Sequence, residues 1–150
     1  MNQDLVDEIE YMIDLLTKSG FFSQDEILEI LEDQFIEYEI DFSEFDTSQI
    51  MDMSRMFYSC DKLTAVDASG FDTSSVTNMK DMFCSCKALT DVDVSGFDTS
   101  KVTNMYGMFS NCQKLTQLDV SGFDTSNVTD MGHMFSACYE LESVGDVGGW

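Results

Sequence analysis

The tetrapeptide Phe-Asp-Thr-Ser begins at Phe45, Phe71, Phe97 and Phe123, a spacing of 26 residues each time. Four in-register units run over 40–65, 66–91, 92–117 and 118–143, and a fifth starts at Val144 and stops after VGDVGGW. A period of this length belongs to the range of solenoid repeats. One unit so short cannot bury two faces alone, but stacked copies share a continuous core.

Each unit divides into two hydrophobic periods. Met79, Met82, Phe83, Cys86 and Leu89 stand at i, i+3, i+4, i+7 and i+10, the spacing of one helix face. Leu89, Val92 and Val94 then follow the L-x-x-L-x-L pattern of a strand whose side chains alternate in and out. Ser95 and Gly96 mark the turn out of it. The expected fold is therefore α/β: a leucine-rich-repeat solenoid with a strand and a short helix per unit, the strands forming a parallel sheet along one side.

The motif V-D-V-S-G-F-D-T-S-x-V-T-x-M-x-x-M-F-x-x-C-x-x-L-T, read from Val92, resembles the BspA-like leucine-rich repeats of bacterial surface proteins, also found in mycoplasmas and some protists. The resemblance spans residues 40 to about 147 and is similar to the mycoplasma-type 26-residue repeat. It implies a leucine-rich-repeat solenoid and a surface or secreted protein acting in adhesion.

Residues 1–39 read differently. Leu5, Ile9, Met12, Ile13 and Leu16 form one helical stripe that ends at Ser19-Gly20. Ser23 to Glu26 is a capping box opening a second helix, with Ile27, Ile30, Leu31 and Phe35 inward. The expected element is a helical hairpin over 1–39 that caps the solenoid of 40–150, as exposed repeat ends require. It carries 12 acidic residues against one lysine, half of the net charge of −22 on the whole chain.

That charge excludes direct phosphate binding, which needs a basic surface. Aromatics at 12% and 11 methionines argue for a folded chain all the same. The opening residues have neither a basic segment nor an apolar core of the kind that directs secretion, and no apolar run approaches a membrane span, so a cytoplasmic protein without membrane contact is expected. Cys60, Cys86, Cys112 and Cys138 share one repeat position beside Met and Phe, where reduced thiols pack well; Cys84 falls on an outward position. Neither the cysteines nor the aspartates have the dense ligand spacing of a zinc or calcium site, so no metal or cofactor is expected.

Asp46, Asp72, Asp98 and Asp124 form one column, with a local role as acceptors for the backbone that follows. Asp67, Asp93 and Asp119 form another on the strand, where outward positions belong to the concave face through which solenoids commonly bind. Together with Asp91 and Gln117, and with Asp25, Glu29, Glu32 and Asp33 of the cap, they make up the candidate partner-binding surface. His133 is the lone histidine, at a variable repeat position, and no nucleophile–base arrangement or phosphate loop accompanies it; an enzyme is not expected.

The expected function is a non-enzymatic, acidic protein-binding module that engages, and inhibits, a basic protein partner. Spread along duplex DNA, 22 charges occupy roughly 37 Å, comparable to the ~40 Å diameter of a compact chain of 150 residues. A nucleic-acid mimic, such as a phage anti-defence inhibitor of the anti-CRISPR type, is one form of that function. An adhesin-type surface repeat is the alternative.

Overall fold

Val66 and Val92 lie side by side in parallel strands, the central residues of two identical turns of the chain. The computed structural model describes residues 39–41 and 46–150. Within them β1 (Glu39–Asp41), β2 (Ala65–Asp67) and β3 (Asp91–Asp93) form one parallel sheet in that order. The register sets Ile40 beside Val66 and Val66 beside Val92, so pairing is between equivalent repeat positions. Beyond β3 an isolated parallel bridge sets Gln117 beside Ser143, the equivalent positions of the next two units. The helical hairpin expected over 1–39 lies outside the described residues, apart from Glu39.

The opposite side of each unit differs from expectation. The described residues contain no helix, and Met79–Leu89 is a run of tight turns. The amides of Met79, Asp81, Phe83 and Ser85 donate to the carbonyls of Asn104, Tyr106, Met108 and Ser110, at 2.8–2.9 Å. The alternate amides of Met82, Cys84 and Cys86 close turns on Met79, Asp81 and Phe83. Arg55, Asp81, Gly107 and His133 all adopt positive φ, as do Ser59, Ser85, Asn111 and Ala137 four positions further on. Positive φ at the third residue is what a type II turn needs, so each unit repeats the same left-handed pair.

The physical reason is spacing. Phe57, Phe83 and Phe109 stack face to face with centroids 5.1 and 5.4 Å apart. Packed helices need about 8–10 Å between axes, whereas adjacent strands need about 4.8 Å. A chain advancing by one strand spacing per unit has no room for a helix in each. Turns satisfy the same apolar spacing while sending every second amide to the next unit. Because hydrogen-bonded ladders run on both sides, the unequal spacing that makes one face of a helix-bearing solenoid concave does not arise.

The core is built of columns. Met79, Met82, Phe83, Cys86 and Leu89 are fully buried, as are Met105, Met108, Phe109, Cys112 and Leu115 one unit later. The inward periodicity read from the sequence is therefore right, although the backbone carrying it is not helical. Buried polar groups are paired between units: Thr47, Thr73 and Thr99 each donate a hydroxyl to the carbonyl of Asp72, Asp98 and Asp124. Gly96 is required by close approach, since a Cβ there would run into the backbone carbonyl of Ser69. Its repeat equivalent Gly122 faces open space.

Candidate functional site

The sheet exposes one acidic face. In β2 and β3 only the central valine turns inward, which leaves the flanking residues outside. The register sets Asp67 beside Asp93 and Ala65 beside Asp91. Gln117 and Asp119 hold the same repeat positions in the following unit, and both are exposed. The structure thus brings Asp67, Asp91, Asp93, Gln117 and Asp119 onto one face, on which β1, β2 and β3 carry no lysine or arginine. Asp25, Glu29, Glu32 and Asp33 lie outside the described residues.

The strand aspartates also have local work that the strand pattern alone did not predict. Oδ1 of Asp67, Asp93 and Asp119 accepts from the backbone amide of Ser69, Ser95 and Ser121, at 2.9–3.0 Å. The hydroxyls of Ser69 and Ser121 add second bonds of 2.6 Å to the same oxygens. Bonding from the serines holds the Asp67 and Asp119 carboxyls below the usual aspartate value. The Asp67 and Asp119 carboxylates are therefore charged at neutral pH, and all three aspartates bond the following serine amide through Oδ1.

Two further columns of this kind run along the solenoid. Asp46, Asp72, Asp98 and Asp124 accept from Ser48, Ser74, Ser100 and Ser126, the local role expected for them. The third column was not anticipated: Asp52, Asn78, Asn104 and Asp130 accept from Ser54, Lys80, Tyr106 and Gly132. The recurring Asn or Asp before methionine in each unit was the sequence signal for it.

Cys60, Cys86 and Cys112 belong to the core, and Cys138 packs against it. All five cysteines are free thiols; Cys60, Cys86 and Cys112 are buried, Cys138 half-buried. Burial pushes the Cys86 thiol well up and that of Cys112 to about 12. Cys84 is half-buried and its thiol is also raised, by burial first and by Asp81 beside it, which outweigh the opposing pull of Ser85, Ser110 and Arg55. His133 is exposed and lies edge-on to Tyr106, with ring centroids 5.4 Å apart. Among the described residues no group of three or more His, Cys, Asp or Glu side chains is placed to hold a metal ion. Among them, too, no helix is long and apolar enough to cross a membrane.

Comparison with known proteins bears on the repeat. Residues 26–150 match the sequence pattern of a family described as a Mycoplasma protein of unknown function, DUF285. Among solved structures, the chain is similar to the leucine-rich-repeat protein of T. pallidum (TpLRR) at 15% identity and a TM-score of 0.38, over 73% of this chain and 69% of that one. No curated protein sequence matches.

Proposed function

Since the chain belongs to the DUF285 family, whose pattern covers all of its full repeats, we propose that it is a non-enzymatic binding module whose acidic sheet face engages a basic protein partner. The observation that carries this reading is the paired register of Asp67 and Asp93, with Asp91 on the same face and no basic side chain in the strands. A carboxylate oriented through Oδ1 meets a lysine or arginine with less ordering cost than a mobile one. Like charges at strand spacing repel, and a cationic partner relieves that repulsion.

The net charge of −22 adds long-range steering toward a basic surface, including a nucleic-acid channel, where the protein acts as an inhibitor by occupancy. The test uses the full chain as bait. Partners retained on it are eluted along a salt gradient and challenged with duplex DNA, and the bait carrying Asp67→Asn, Asp93→Asn and Asp119→Asn is compared. Release by moderate salt, competition by DNA and slower association with the variant support the reading. Retention indifferent to salt and to the substitutions overturns it. The adhesin-type alternative draws on the resemblance of the repeats to BspA-like proteins, and its signature is salt-tolerant attachment to cell surfaces.

A further inference from the structure

We draw no further inference here: the strongest candidate, the apolar groove lined by Met131, Phe135 and Trp150 on the fourth repeat unit, carries nothing because nothing in the structure shows what covers it.

Discussion

The thiol of Cys86 donates to the backbone carbonyl of Phe57, 29 residues earlier, at 3.0 Å. Cys112 and Cys138 repeat the bond to Phe83 and Phe109 at 3.2 and 3.0 Å. The column is thus a set of inter-unit rivets, small enough for the core and able to satisfy a second lone pair of the carbonyl. Replacing Cys86 with Ala is expected to cost about 1–3 kcal/mol, combining a lost hydrogen bond with a small cavity. Chemical denaturation against the parent chain measures it.

The same burial sets an alkaline limit. A thiol raised in the folded state contributes stability that is complete below its unfolded value, about 8.5, and is lost as pH climbs toward the folded value. With Cys86 and Cys112 both raised, the latter to about 12, melting temperature is expected to decline from about pH 9 upward. Substituting both with Val flattens that decline. At neutral pH the two thiols resist labelling in the folded chain, while half-buried Cys84 and Cys138 react sooner.

On the acid side the sign reverses. Serine bonding lowers the carboxyls of Asp46, Asp72, Asp98 and Asp124, although Asp46 and Asp98 push Asp72 slightly back up. A depressed carboxylate contributes stability above its unfolded value and loses it as pH falls through the folded one. Carboxyl titration by NMR is expected to give midpoints below those of a model peptide for these four. Asp98→Asn, which keeps an acceptor, should reduce the acid-side slope more than it alters neutral stability.

Position along the solenoid controls the cost of core truncation. Phe83 and Phe109 are sealed on both sides, so each change to Ala is expected to cost about 3–5 kcal/mol. Phe135 is covered on one side mainly by Trp150, and its truncation costs clearly less. Equal effects in denaturant titrations would refute the order of packing described above.

Two glycines of one motif separate sequence from structure. Gly96→Ala brings a Cβ against the Ser69 carbonyl, a backbone atom that cannot swing aside, and is expected to be strongly destabilising. Gly122→Ala meets nothing and should be near neutral or slightly stabilising through the unfolded state. Thermal melts of the two variants decide it.

Repeat length, unit boundaries, the inward residues and the Asp-Thr-Ser turn role were legible in the sequence because they depend on local chemistry repeated four times. Met79, Met82, Phe83, Cys86 and Leu89 belong inside on any backbone that advances one face at that spacing. Helix and turn run share the spacing, so the pattern could not choose between them. Asp81, Gly107 and His133, residue types that tolerate positive φ, were the available hint.

What only the tertiary structure decided is where the amides go. Stacking at one strand spacing draws every second amide of the turn side to the next unit, and a helix would need those same amides for itself. That competition lies between residues about 25 positions apart, beyond any local window. The placement of Asp67 beside Asp93 follows from the same long-range register.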